Sequence, residues 1–315
     1  LGYSQNISTR RVVSNFWFSL GIFLRLLLKV CRNDCVIIPS RPVELIFFIS
    51  LIGRIKKCRI YLDIQDIWPD ALQVKNQWKR RLFSHYCDLF LKPSLKYYTN
   101  TFHVAPSFLS WLNRYAPDKS SIFLPLGWEN ERWQNNIVNP ASGDYVKLVC
   151  VAQLTYQFDI MPILVFLKTN PKYKLKIIGE DGKGERYAEV INYVNLNGIK
   201  NVSIIGKVPH EKMSDALVGE DIGIVPMLTS SIPNKVFDYL GARLPIVVLG
   251  KNDSADFVHH YDIGWSCDYN ATSFSSLMEN ITREDIGEKR MNIEIIRDQF
   301  SRNQLNKTFY KIITV

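Results

Sequence analysis

The sequence predicts an α/β protein built from two doubly wound, parallel-sheet domains in tandem, and three observations carry that prediction. Short apolar runs of strand length alternate with helix-length stretches along most of the chain, the pattern of a parallel sheet covered on both faces. The alternation runs to residue 126, stops in a polar stretch containing Pro and Gly at 127–144, and then restarts. The length, 315 residues, suits two domains of about 150 residues, each with its own core. With 47% hydrophobic and 22% charged residues, the composition excludes disorder, collagen and coiled coil.

The elements follow in order. The most apolar stretch, 16–30 (F-W-F-S-L-G-I-F-L-R-L-L-L-K-V), is interrupted by Arg25 and Lys29 and falls short of the about 20 apolar residues that span a membrane. It reads either as a buried helix of the first domain or as an interfacial helix, with Phe16, Trp17 and Phe18 at one end and cations along it. Next come a short buried strand at 35–39 (C-V-I-I-P), an apolar helix over 43–55 ended near Gly53, and a strand at 59–64 (R-I-Y-L-D-I). A polar helix over 78–91, a strand at 101–105, a helix opening at Ser107 and a strand at 121–126 complete the first series. The stretch 127–144 reads as the interdomain connection. The second series places strands at 147–151, 175–178, 202–205, 222–226 and 245–249, with helices near 161–168, 185–195, 213–218 and 235–241. The expected domains are 1–130 and 144–284, with a C-terminal helix over 285–315 packing back on the first. Ligands of such sheets sit at the carboxyl ends of the strands, so the site is expected in a cleft where the two domains face each other.

Charge is uneven. Residues 1–140 hold 19 Lys/Arg against 9 Asp/Glu, a balance of +10, and residues 141–315 hold 20 against 21, a balance of −1. A basic half suits an anionic partner such as a phospholipid surface or a lipid-linked phosphate. Its cations occur as separated pairs (Arg10-Arg11, Lys56-Lys57, Arg80-Arg81) without an interleaved recognition motif, which argues against nucleic acid. The six cysteines, Cys31, Cys35, Cys58, Cys87, Cys150 and Cys267, lack zinc-site spacing and read as free buried thiols of a reducing compartment. No histidine pair has ligand spacing with a third donor, so no tightly held metal is expected; His85 and His103 lie inside apolar elements and read as structural. No signal peptide is visible, and the chain opens at Leu1, so its amino end is read as trimmed or incomplete.

The strongest local signal is 231–242, S-I-P-N-K-V-F-D-Y-L-G-A. Pro233 stands before a helix whose first turn holds Asn234 and Lys235, and free N–H groups at a helix start plus an ammonium make an anion site. Asp238, three residues on, is expected on the same side. The pair can hold a diphosphate and a ribose, or it can be an exposed Lys–Asp pair capping a helix. In the first domain, Asp63, Asp66 and Asp70 follow a strand end, beside Gln65. Asp66 is the candidate for orienting an acceptor hydroxyl or taking its proton; the alternative is that it caps the next turn while Trp68-Pro69 packs it in place.

The 231–242 run resembles the donor-site motif of family 4 glycosyltransferases of the GT-B fold, the group that builds capsule, O-antigen and exopolysaccharide chains. The segment 62–72 (L-D-I-Q-D-I-W-P-D-A-L) is similar to that family's D-x-x-D-L-W-P-E segment, Ala105-Pro106-Ser107 to its A-x-S turn, 178–182 (I-G-E-D-G) to its glycine loop, and 201–208 (N-V-S-I-I-G-K-V) to its N-V-x-x-x-G-x-V strand. The resemblance covers about residues 35–310. It implies two Rossmann-like doubly wound domains facing across a cleft. It also implies glycosyl transfer from a nucleotide-diphosphate sugar to a lipid-linked or oligosaccharide acceptor, with retention of configuration and with neither cofactor nor metal required. The residues it assigns to the nucleotide sugar are Gln153, Asp159, Gly179, Glu180, Pro233, Asn234, Lys235 and Asp238, with Asp66 as the catalytic candidate but not a nucleophile. The implied setting is the cytoplasm, peripheral on the inner face of an anionic membrane, as a homo- or hetero-oligomer.

Three departures stand beside the resemblance. Ser230 occupies the place of the first acid of the E-x7-E pair, and Asp238 that of the second. The Arg and Lys usual after the first strand of the second domain are replaced by Gln153-Leu154-Thr155-Tyr156-Gln157-Phe158-Asp159, as in a subgroup with an aromatic–Asp pair, which makes Lys235 the main cation on the diphosphate. Nothing before Arg10 reads as the opening strand and glycine-rich loop, so either the chain is trimmed or the first domain lacks that strand. These departures keep open a non-catalytic GT-B partner subunit that binds and localises a true transferase. A nucleotide-sugar 2-epimerase has the same architecture, but Asp66-Ile67-Trp68-Pro69 belongs to the transferase pattern.

Overall fold

Branched apolar runs make the strands. The computed structural model describes residues 9–71, 76–133, 144–180 and 182–314. The opening residues 1–8, Leu72 and Asp181 of the resembling motifs, and 134–143 of the expected connection lie outside that range. Two units divide the chain, Leu1–Leu124 and Pro125–Val315.

The first unit begins with α1 (Thr9–Lys29) and continues through β1 (Cys35–Pro39), α2 (Val43–Lys56), β2 (Arg59–Ile64), α3 (Gln77–Leu91), β3 (Asn100–His103), α4 (Phe108–Tyr115) and β4 (Ser121–Phe123). All four strands are parallel, in the order β1-β2-β3-β4. The apolar helix α2 buries Val43, Leu45, Ile46, Ile49 and Ile52, each side chain contributing about 1.5–3 kcal/mol. It runs past Gly53 to Lys56. Gly53 is there for contact, since a Cβ would lie 2.8 Å from Ile60 Cδ1, and the helix ends where Lys57 turns left-handed at φ 54°.

The stretch 16–30 departs from its expectations. All of it but Val30 lies within a 21-residue helix, and Arg10–Lys29 is long and apolar enough to cross a membrane by length and composition. Nor is α1 a core helix: Ser19 is its one buried residue among those described. Phe16 and Phe23 pack on Phe48 of α2, with ring centroids 5.7 and 5.4 Å apart. Trp17, Phe18, Leu24 and Leu28 face outward.

The second unit holds α5 (Asn130–Trp133), β5 (Val146–Val151), α6 (Met161–Thr169), β6 (Tyr173–Ile178), α7 (Tyr187–Leu196), β7 (Val202–Ile205), α8 (Met213–Leu217), β8 (Ile222–Pro226), α9 (Asn234–Gly241), β9 (Ile246–Leu249), α10 (Asp253–His260), β10 (Gly264–Cys267), α11 (Ala271–Asn280), α12 (Arg283–Ile296) and α13 (Arg302–Thr314). Its six parallel strands run β10-β9-β8-β5-β6-β7. The order reverses between β5 and β8, the switch point at which doubly wound sheets bind ligands.

The start of the expected connection is built into this unit. Trp128 and Trp133 are buried, the Trp128 N–H donates to Phe300 O (3.0 Å), and its indole N–H donates to Arg297 O (2.7 Å). Gly127, at φ +69°, sits where a Cβ would lie 2.8 Å from Phe300 O. Polar composition concealed two buried tryptophans. Of the region 285–315, expected as one helix, the described residues 285–314 form the rest of α12, a short 3-10 turn and α13.

Candidate functional site

The switch point is furnished by the loops after β5 and β8. Tyr239 of α9 fixes their spacing. Fully buried, its hydroxyl accepts the Val151 N–H (2.9 Å) and lies 3.3 Å from Val149 O and 3.2 Å from Ile224 O. The loops are tied directly as well, Gln157 Nε2 donating to Thr229 Oγ1 (2.8 Å) and Leu228 N–H to Gln157 O (3.3 Å). From the far side α10 holds the β8 loop, with Asn252 Nδ2 donating to Met227 O (2.9 Å) and Ser254 Oγ to Ser231 O (2.6 Å). Ser230, which stands where an acid is usual, accepts the Asp253 N–H (3.1 Å).

Helix α9 opens at Pro233, with no side chain capping its first amides; Asn234 is exposed beside them. Lys235 in its first turn is 7% exposed, and its Nζ makes no hydrogen bond among the described residues. The ammonium lies 3.8 Å from the centroid of the Phe158 ring, so the first strand's loop supplies the aromatic floor and the fourth strand's helix the cation. Burial pushes the Lys235 amine down to about 8. A buried cation without a hydrogen-bonding partner is costly, and with uncapped helix amides beside it the arrangement suits an anion.

The other expected residues fall into distinct settings. Asp238 does not share the Lys235 environment: Arg132 Nη1 lies 2.9 Å from its Oδ1, and Arg132 also pairs with Glu129, which Arg302 and His210 approach in turn. Burial raises the Asp238 pKa, and Arg132 opposes that shift. Glu180 is 2% exposed, and its carboxylate accepts the N–H groups of Leu154 (2.6 Å), Gly182 (2.7 Å) and Gly184 (3.2 Å); it folds the glycine loop onto the β5 loop. Gly179 makes that turn at φ +102°. Asp159 accepts the Met161 N–H (2.9 Å) and pairs with Arg186 (2.5 Å), whose guanidinium covers Tyr156. Gln153 is exposed on the β5 loop.

In the first unit Asp66 lies past the carboxyl end of β2. Ser40, past the end of β1, clamps its backbone: Ser40 Oγ donates to Asp66 O (2.8 Å) and accepts the Asp66 N–H (3.1 Å). The Asp66 carboxylate pairs with Arg41; burial raises its pKa and Arg41 opposes that. Trp68 beside it is buried, with its carbonyl accepting the Trp111 indole N–H (2.8 Å). Asp63 is inside β2, its pKa raised by burial, and accepts from Gln65 Nε2 (2.5 Å). Asp70 pairs with Arg114 of α4 (2.5 Å).

Some expectations fail. His85 is exposed on α3 rather than structural, whereas His103 is buried with Nδ1 2.9 Å from Ser121 Oγ. Cys31 is exposed and Cys35 and Cys267 half-buried; only Cys58, Cys87 and Cys150 are buried, because the others lie in a turn and in the outermost strands of the two sheets. Arg41, Arg132 and Arg186 were not singled out from sequence. Arg41 follows a strand end, the same signal that marked Asp66; the other two lie where no spacing distinguishes them.

A cavity of about 820 Å3 in this unit opens elsewhere, at the amino ends of β5, β6 and β7 among Lys147, Lys168, Lys174 and Lys200. Parallel sheets present their ligand loops at the opposite end, so we place the candidate site at Lys235.

Residues 148–283 match the family described as Glycosyl transferases group 1. No curated protein sequence matches the chain. Among solved structures it is similar to sucrose-phosphate synthase from Thermosynechococcus elongatus (TM-score 0.76, 11% identity, covering 99% of this chain and 80% of that one). It is similar also to HepE from Anabaena, solved in complex with UDP (0.72, 9%, 93% and 82%), and to trehalose 6-phosphate synthase from Burkholderia multivorans (0.74, 10%, 98% and 76%). The chain thus has the α/β fold of GT-B glycosyltransferases, with two Rossmann-like domains, and its second domain carries the group 1 signature.

Proposed function

We propose that this protein transfers a glycosyl group from a nucleoside-diphosphate sugar to a lipid-linked or oligosaccharide acceptor during synthesis of a cell-surface polysaccharide. The observation that carries the donor half is Lys235, a buried ammonium with no hydrogen-bonding partner among the described residues, beside the uncapped start of α9 at the switch point. The group 1 match over 148–283 supports it, and so does the UDP held by the similar HepE structure. In this reading Lys235 and the first amides of α9 stabilise charge growing on the departing diphosphate. Glu180 and Asp159 shape the loops rather than touch the donor. Asp238 binds the ribose once Arg132 yields one of its carboxylate oxygens. Asp66 orients the acceptor hydroxyl, transfer retains configuration, and no metal is needed where protein cations meet the diphosphate.

A second reading, a non-catalytic partner subunit, draws on Ser230 Oγ and Asp238 Oδ1, which are already engaged by the Asp253 N–H and by Arg132. The outward apolar face of α1 and the basic first unit support peripheral attachment to the inner, anionic face of a membrane.

Titration calorimetry of UDP and GDP tests the donor site. Lys235→Ala is expected to weaken the preferred nucleotide more than tenfold, since a charged contact contributes about 1.5–3 kcal/mol; an unchanged affinity would remove the assignment.

A further inference from the structure

Beside Asp66 the first unit carries a cavity of about 350 Å3, within the range of small-molecule sites, about 300–1,000 Å3. Three segments wall it: Arg11 and Asn15 from the first turns of α1, Arg41 from the turn after β1, and Gln65, Asp66 and Trp68 from the turn after β2. Both guanidinium groups lie over the Trp68 ring, at 5.1 Å for Arg11 and 5.8 Å for Arg41. The ring is itself immobilised, being buried with its backbone carbonyl held by Trp111. Stacking on an indole orients a guanidinium plane without consuming its N–H donors. Two cations therefore line the cavity from separate elements, Arg41 paired with the carboxylate of Asp66.

We propose that this cavity is a subsite for a phosphate or diphosphate group on the acceptor, with Arg11 and Arg41 as its cationic ligands. That the anion belongs to an acceptor rests on the glycosyl-transfer reading; the anion subsite itself rests on the cavity and its two arginines. A phosphate offers a guanidinium two parallel hydrogen bonds, so it competes with Asp66 for Arg41. Arrival of the phosphate frees the Asp66 carboxylate to accept a hydrogen bond from the acceptor hydroxyl. Phosphate recognition and readiness for transfer are thereby coupled through one ion pair.

The full chain, with UDP at saturation so that an anion site at Lys235 is occupied, is titrated with inorganic pyrophosphate, geranyl diphosphate and geraniol. Both diphosphates are expected to bind, with geraniol at least tenfold weaker. Arg11→Gln and Arg41→Gln should each weaken the diphosphates about tenfold and leave UDP affinity unchanged. Asp66→Asn should tighten them threefold or more, because Arg41 loses its competing carboxylate; an ion pair that was only structural would not do this. Tighter binding of geranyl diphosphate than of pyrophosphate assigns the subsite to a lipid headgroup, and equal binding assigns it to a soluble phosphate. Absence of binding by both diphosphates, or affinities unmoved by the arginine variants, overturns the proposal. If those variants fail to fold, an unchanged or weakened affinity in Asp66→Asn overturns it. UDP binding that fails while diphosphate binding persists would count against the donor site alone.

Discussion

Lys235 is where residue chemistry and fold pull hardest against each other. Its amine falls to about 8 in the folded chain from an ordinary 10.5 because burial penalises the charge. Between those values the unfolded chain binds more protons than the folded one. Stability contributed at this position therefore rises with pH across about 8 to 10.5, and the full penalty, about 3 kcal/mol, is present below 8. Lys235→Met keeps the volume and removes the charge, so it should raise the thermal midpoint of the free protein by several degrees at pH 7 while weakening UDP binding more than tenfold. A variant that melts lower and binds normally would show that Lys235 is only structural. UDP affinity of the unaltered protein should also fall as pH rises through 8, where the amine loses its charge. A helix-start lysine after Pro233 was legible in the sequence. Its burial on Phe158 was not, nor was the pairing of Asp238 with Arg132, because each joins segments far apart in the chain.

At the scale of elements, most strands were legible because their apolar, branched runs are what a doubly covered sheet requires. β10 was missed. Its G-W-S-C segment lacks such a run, and it is a strand because its backbone docks on β9 so closely that a Cβ on Gly264 would lie 2.7 Å from Ile246 N. The end of α2, expected at 55 and found at Lys56, is not set by Gly53, which serves contact and not termination. The element that matters most is α9, whose position depends on Tyr239. Tyr239→Phe removes the acceptor for the Val151 N–H; a group left unsatisfied costs about 1–3 kcal/mol. Urea unfolding should register that loss, and UDP affinity should drop severalfold with it, since Tyr239 spaces the β5 loop against α9. Lost stability with full nucleotide affinity would separate Tyr239 from the site.

Across the whole molecule, the two-unit organisation was legible from two series of alternating elements, but the boundary was not, because Trp128 and Trp133 lie hidden in a polar stretch. The charge asymmetry and α1 lead to one expectation. Co-sedimentation with anionic vesicles should fall as salt rises, exposed charges being screened beyond about 10 Å at 0.1 M. Replacing Trp17, Phe18 and Leu28 with Ser should abolish it. Equal pelleting with neutral vesicles would remove the electrostatic part, and pelleting unaffected by the triple change would place the contact off α1. The central claim is catalysis, and turnover tests it most directly: release of nucleoside diphosphate from a panel of nucleotide sugars, with acceptor, by the unaltered chain and by Asp66→Asn. Release from at least one donor, cut about 10² or more in Asp66→Asn with donor affinity unchanged, is the expected result. A chain that binds the nucleotide yet releases none from any sugar would contradict the enzyme reading and favour the partner subunit.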